Sequence, residues 1–90
     1  MQIFNEIEKT FPTIKKQIGK KGTEQFIRHG YNNIIDYHFG LGGWIRNTLL
    51  GEGSELYSHF VECGINDADD MSSMIMQMFY MHEYSRIKKL

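Results

Sequence analysis

His59 and Cys63 are the residues whose types and spacing most directly suggest chemistry. They stand four positions apart, so on a helix both side chains project from one face and could bind a tetrahedral metal ion such as zinc. A zinc ion there would link helices that a small core holds weakly. We expect His38 and Asp67 to complete the site, from the candidates His29, His38, His82, Asp67 and Asp69. The alternative interpretation is a partly exposed histidine beside a small buried thiol, because no Cys-x-x-Cys pair accompanies them.

A second candidate is the stretch 40–43, Gly-Leu-Gly-Gly, which precedes a short apolar segment. Glycine-rich backbone before a helix can offer N–H groups to an anion such as phosphate, and Arg46 stands close by. The Lys-Ser/Thr pair of a phosphate-binding loop is absent, however. We therefore favour a tight corner between helices, with Trp44 as a core anchor and Arg46 paired with Asp69 or Asp70.

Catalysis has two weak candidates. Cys63 and His59 would align along one helix axis, which leaves no built site for an oxyanion. A small metal-dependent or phosphate-handling enzyme could instead be built around His38, Arg46 and Asp69. Adjacent acids at a helix start are more often caps, so we expect a non-catalytic protein and keep the enzyme as the alternative.

Charge is distributed unevenly along the 90 residues. Residues 1–46 carry seven basic and four acidic side chains, whereas residues 47–85 carry seven acids and no Lys or Arg. Three of these acids are expected at the start of the last helix, which leaves a free acidic patch of Glu52, Glu55, Glu62 and Glu83. An acidic surface is repelled by nucleic acid and attracted to basic protein surfaces.

These residues must be positioned by helices, because apolar residues recur at helical spacing and nowhere alternate as in a strand. We expect an all-α, compact single-domain bundle of four to six short helices that spans residues 1–90. Boundaries are predicted at Pro12, Gly19–Gly22, Gly30, residues 40–43, Gly51–Gly53 and Gly64, with caps at Thr23, Asn32 or Asn33, Ser54 and Asp67.

The last helix has the clearest periodicity and the most apolar residues. Its predicted core stripe consists of Met71, Met74, Ile75, Met78, Phe79 and His82. Met76, Tyr80 and Tyr84 lie off that stripe, and flexible thioethers beside aromatics suit a surface that packs against a partner. These three residues, together with Glu52, Glu55 and Glu62, form the predicted partner-binding set. A homodimer that uses the Met/Tyr surface is a further alternative.

Two stretches resemble a known family. The run Tyr-His-Phe-Gly-Leu-Gly-Gly-Trp-Ile-Arg-Asn at 37–47 and the run Asp-Asp-Met-Ser at 69–72 are similar to those of a family of small bacterial proteins of unknown function. The resemblance covers residues 34–80, so the chain divides into a basic helical part, 1–30, and a family-like helical core, 31–90. It implies that the turn before Trp44 packs near the acidic start of the last helix, and it implies no activity.

Function and location follow from size and charge. A lone Cys63 and an N-terminus without a basic and apolar leader predict a cytoplasmic protein, and no apolar stretch approaches the roughly 18 residues of a membrane span. We expect an interaction module, with zinc as its candidate cofactor, that binds a basic protein surface as an inhibitor or adaptor. Bacteriophage anti-CRISPR proteins and similar anti-defence inhibitors are of this kind.

Overall fold

The computed structural model describes residues 3–87, and in this range the chain forms helices and no strand. Within these residues, five α-helices and one 3₁₀ helix follow one another. They are α1 (Ile3–Glu8), α2 (Phe11–His29), the 3₁₀ helix Tyr31–Tyr37, α3 (Leu41–Thr48), α4 (Glu55–Glu62) and α5 (Ala68–Ile87). The predicted all-α fold is confirmed. The helix α5 is long rather than short, whereas α2 consists of two shorter helical arms that meet at Gly19.

The 20-residue helix α5 is the centre of the bundle, because every other helix packs against it. Three phenylalanines show how the core forms around it. Phe79 is fully buried, and its ring centroid lies 5.6 Å from that of Phe11 and 5.8 Å from that of Phe26. The two ends of α2 therefore meet on one turn of α5, and residues from the first 30 positions belong to the same core as the rest.

This arrangement requires α2 to bend, and the bend is at Gly19. Gly19 has φ 76° and ψ 176°, a conformation that glycine adopts without the steric cost of a Cβ. Before the bend Lys15 reaches Glu83, and after it the hydroxyl of Tyr80 donates a hydrogen bond to the Ile27 carbonyl. The two arms of α2 thus run along α5 in opposite directions. The predicted break is confirmed, but Thr23 donates to the Gly19 carbonyl at 2.8 Å instead of capping.

The buried face of α5 differs from the predicted stripe. Its buried residues are Met71, Ser72, Ile75, Met76, Phe79, Tyr80 and Glu83. The prediction that Met76 and Tyr80 lie on the surface is wrong, since their exposed fractions are only 1% and 7%. The cause is that α5 has apolar residues on nearly every side, so its neighbours rather than its own pattern decide which side is covered. Tyr84, at 45%, is exposed as predicted.

The 3₁₀ helix has a period of three residues, and its packing follows that period. Ile34 is buried and Tyr37 packs inward, with its ring edge-on to Phe26 at a centroid distance of 4.8 Å. Side chains three apart lie above one another in a 3₁₀ helix, so Ile35 and Asp36 face outward. The predicted cap at Asn32 or Asn33 is replaced by Gly30, which has φ 96°.

The caps around α4 and α5 match their prediction. The Ser54 hydroxyl accepts the Tyr57 N–H at 3.2 Å and donates to the Leu49 carbonyl at 2.7 Å. At the other end Gly64 has φ 88°, and the Ile65 N–H donates back to the Phe60 carbonyl at 2.9 Å. An Asp67 carboxylate oxygen then accepts the N–H of Asp69, at 2.8 Å, at the start of α5.

Candidate functional site

The packing of α3 on α5 determines which residues share one end of the molecule. Gly42 lies against Met76, where a Cβ on the glycine would stand 3.2 Å from the Met76 methyl and 3.3 Å from the Tyr37 carbonyl. One turn later Arg46 reaches Ser72, which precedes Met76 on α5. The two helices are therefore antiparallel. The end of α3 therefore lies near the start of α5, and residues 49–54 lead from there to α4.

Arg46 joins three elements through its guanidinium group. One terminal nitrogen donates to the Ser72 hydroxyl and the other to the His38 carbonyl, each at 3.0 Å. Its Nε stands 3.5 Å from a carboxylate oxygen of Asp69. The expected pairing of Arg46 with Asp69 is confirmed, and the 38–40 turn is held against the start of α5.

The same cluster contains the residues of the alternative enzyme, His38, Arg46 and Asp69. His38 Nε2 lies 4.0 Å from Asp69 Oδ1, so the structure does bring the three together. The donors of Arg46, however, already face acceptors of the chain itself. An arginine held in this way stabilises the fold, and its guanidinium group has no free pair of N–H donors for a substrate anion. In addition, Gly42 and Gly43 are inside α3, so residues 40–43 do not form an open glycine loop. The expected tight corner between helices is present, but it lies at residues 38–40, before most of the glycines.

We define the acidic end of the molecule as five carboxylates: Asp67, Asp69 and Asp70 at the start of α5, and Glu52 and Glu55 on the segment that leads from α3 into α4. All five are exposed. Asp69 pairs with Arg46, while the other four form no ion pair with any residue between 3 and 87. Glu62 is exposed but lies 3.4 Å from His59 Nδ1, so part of its charge is paired.

We define the basic end as the side chains around the bend of α2 and the last turn of α5: Lys15, Lys16, Lys20, Lys21 and Arg86. A surface cavity of about 430 Å³ is lined in part by Lys15, Lys20 and Arg86, which places them together. A 20-residue helix is about 30 Å long, so α5 separates the two ends by most of the molecule's 37 Å length. The uneven charge of the sequence thus becomes a charge separation in space.

Glu83 corrects the predicted acidic patch. Its side chain is buried at the basic end, where its carboxylate oxygens lie 3.4 Å from Lys15, 3.7 Å from His82 and 3.7 Å from Arg86. One oxygen, Oε2, accepts no hydrogen bond from the described residues. Glu83 therefore neutralises the basic end locally and adds nothing to an acidic surface.

The four residues predicted to bind zinc are distributed over two places. His59 stands between Glu6 and Glu62, with nitrogen–oxygen distances of 3.9 and 3.4 Å, while Cys63 is exposed at the end of α4. His38 lies at the Arg46 cluster and Asp67 caps α5. Among residues 3–87 no three His, Cys, Asp or Glu side chains form a group that could hold a metal ion. The zinc site therefore stays a prediction, and no cluster of ligands among the described residues supports it.

Phe39 is the residue that sequence reasoning missed. It is 87% exposed, and Ile35 on the preceding 3₁₀ helix is 71% exposed. The ring of Phe39 meets the His38 imidazole edge-on at 5.0 Å, which places it beside the acidic end. Trp44, named as a core anchor, is only partly buried and packs at the edge of the core. Phe39 stands directly before the glycine-containing stretch 40–43, so no helical periodicity in the sequence could have shown its exposure.

Tyr37 provides a test of how the 3₁₀ helix is held. Its hydroxyl lies 2.6 Å from His29 Nδ1, and burial, with a smaller contribution from the charge of Asp36, raises the pKa of this hydroxyl above its ordinary 10.0. The folded chain keeps the proton more tightly than the unfolded chain. The resulting stabilisation is complete below pH 10 and is lost as the pH rises through the folded pKa.

We expect Tyr37→Phe to lower the free energy of unfolding by about 0.5–1 kcal/mol at pH 8, because the bond to His29 is lost. Above pH 10 the difference from the wild type should shrink. Urea unfolding at a series of pH values measures this. A difference that grows with pH would show that the ionised tyrosine is the stabilised form.

The fold and these contacts define a small all-α domain assembled around one central helix, with its charge divided between two ends. Residues 4–83 match a family model described as Domain of unknown function (DUF6794), so the chain belongs to that family. The match begins before α2, so the N-terminal helices belong to the family domain, contrary to the resemblance. No curated protein and no solved structure matches the chain. Between residues 3 and 87 no helix combines the length and apolar character that crossing a membrane requires.

Proposed function

We propose that the protein is a non-catalytic interaction module whose acidic end binds a basic protein surface, as an inhibitor or adaptor. The observation that carries the proposal is the set of exposed carboxylates of the acidic end, of which Glu52, Glu55, Asp67 and Asp70 have no cationic partner among the described residues. Unpaired like charges gathered at one end create a field that accelerates association with a surface of opposite sign.

Nucleic-acid-binding proteins are the partners that this charge fits best, because their binding surfaces carry clustered Lys and Arg. A module that covers such a surface competes with the nucleic acid for it. The specific form that we propose is therefore an inhibitor of a nucleic-acid-binding protein, of the kind that phages direct against host defence systems.

The test reverses charge at the acidic end and, as a matched control, elsewhere. Glu52→Lys/Glu55→Lys changes two exposed residues of the acidic end, and Glu8→Lys/Glu24→Lys changes two exposed residues of α1 and α2. Each full-length double variant alters the net charge equally. Tagged chains are incubated with a lysate of the cells that encode the protein, and captured proteins are identified by mass spectrometry.

We expect the wild type and the control to retain the same basic, nucleic-acid-binding protein, and added DNA or RNA to displace it. The acidic-end variant should bind that protein at least about tenfold more weakly, and binding should weaken with salt. Equal capture by both variants would contradict the proposal. A doubled mass in solution with no basic protein captured would instead favour the structural homodimer.

A further inference from the structure

The exposed apolar pair beside the acidic end requires a separate explanation. Among the large hydrophobic side chains between residues 3 and 87, Phe39 and Ile35 have the greatest exposed fractions. Single exposed apolar residues are common on protein surfaces, but a phenylalanine with almost its whole ring in water is not. Buried aromatic rings dominate the binding energy of protein interfaces, and each usually fills a pocket of the partner.

The backbone that carries Phe39 is fixed before any partner binds. The neighbouring His38 carbonyl accepts a hydrogen bond from Arg46 at 3.0 Å, and the His38 ring touches the Phe39 ring edge-on. Arg46 is in turn held by Ser72 on α5. A side chain presented from a rigid turn loses little conformational freedom on binding, which favours affinity.

The charges around Phe39 decide what can cover it. Asp36 stands three residues earlier on the 3₁₀ helix, is exposed and forms no ion pair among the described residues. Asp69 lies 4.0 Å from the His38 imidazole, and Arg46 balances part of its charge. Acidic neighbours repel nucleic acid and the anionic face of a membrane. In a two-fold dimer through this patch the same carboxylates would face their own copies. A protein with basic residues around an apolar pocket is the occupant whose charge is complementary.

We propose that Phe39, supported by Ile35, is the apolar anchor of the partner-binding surface and inserts into a pocket flanked by Lys or Arg on the partner. This inference rests on the proposed function and adds to it. The acidic end brings the partner close, and the anchor sets how long it stays bound. Loss of the anchor acts mainly on the dissociation rate, whereas loss of the exposed charges acts mainly on the association rate.

The experiment places the photo-cross-linker benzoylphenylalanine at position 39 of the full chain and, as the matched control, at Phe4, an exposed phenylalanine of α1. After irradiation in a lysate of the encoding cells, the cross-linked peptide is sequenced. We expect efficient cross-linking from position 39 alone, to a protein segment in which apolar residues stand beside Lys or Arg. In binding assays with that protein, Phe39→Ala should weaken affinity at least about tenfold through faster dissociation, and Phe4→Ala less than about twofold.

The inference is overturned if position 39 cross-links no more than position 4, or if its target is a second copy of the chain, an acidic segment or nucleic acid. The two proposals fail in different ways. If Phe39→Ala binds normally while Glu52→Lys/Glu55→Lys does not, the anchor is wrong and the acidic end stands. If Phe39→Ala loses binding while charge reversal and salt have no effect, the anchor stands and the electrostatic function is wrong.

Discussion

Phe79→Ala is expected to lower the free energy of unfolding by about 3–5 kcal/mol, the largest effect of any single change considered for this chain. Phe79 is fully buried on α5 and contacts the rings of Phe11 and Phe26, which come from opposite arms of α2. Removing its ring leaves a cavity between α5 and both arms of α2. The cavity can close only if both arms shift toward α5. Small domains have only about 5–15 kcal/mol of stability, so this loss is large.

Urea unfolding followed by circular dichroism measures the effect, with Met81→Ala as the control. Met81 lies two residues further along the same helix and is 54% exposed, so its truncation should cost less than about 1 kcal/mol. If Phe79→Ala does not fold, Phe79→Leu keeps the measurement possible, with an expected loss of about 1 kcal/mol. Equal stability of Phe79→Ala and Met81→Ala would refute the central position of Phe79.

Arg46→Ala is expected to lower the free energy of unfolding by about 2–4 kcal/mol, because it removes the group that joins the 38–40 turn, α3 and α5. Two hydrogen bonds of 3.0 Å and the contact with Asp69 are lost at once. Ser72 is fully buried and would lose the donor to its hydroxyl oxygen. Arg46→Lys should recover only part of the loss, since an ammonium group cannot reproduce the planar fork of a guanidinium.

Arg28→Ala is the control, because Arg28 is exposed near the end of α2 and forms no ion pair among the described residues. Besides unfolding, the amide signals of residues 38–40 report on the turn by nuclear magnetic resonance. They should shift and broaden in Arg46→Ala and stay unchanged in Arg28→Ala. An Arg46→Ala protein with wild-type stability and unchanged signals would show that the turn is held by packing alone.

The local features of the chain were predictable because each depends on a few neighbouring residues. Ser54, Gly64 and Asp67 end or start helices through bonds to backbone groups within three or four positions, and such bonds follow from residue type. The break at Gly19 was predictable for the same reason. The pairing of Arg46 with Asp69 is different, because it joins residues 23 positions apart. It agrees with the resemblance, which implied that the turn before Trp44 packs near the acidic start of the last helix.

Predictions that depended on neighbours elsewhere in the fold succeeded less often. Met76 and Tyr80 were assigned to the surface because one face of α5 was expected to be enough for the core, whereas Gly42 lets α3 approach Met76 closely and Ile27 offers its carbonyl to Tyr80. Glu83 was counted as a free charge because Lys15 stands 68 positions away in sequence and reaches it only when the first arm of α2 packs on α5. Neither kind of contact can be predicted from the spacing of residues along one helix.

The amino-acid sequence by itself determined that this chain is helical, where most of its helices end and that its acids and bases are segregated. These properties follow from spacing, capping and composition, which act within a few residues. Only the tertiary structure decided that α2 folds back on α5, that the two charges occupy opposite ends and that Phe39 stands exposed beside the acidic one. Such outcomes depend on which surfaces of several helices fit one another. Shape complementarity between distant segments cannot be derived from the sequence of any one segment alone.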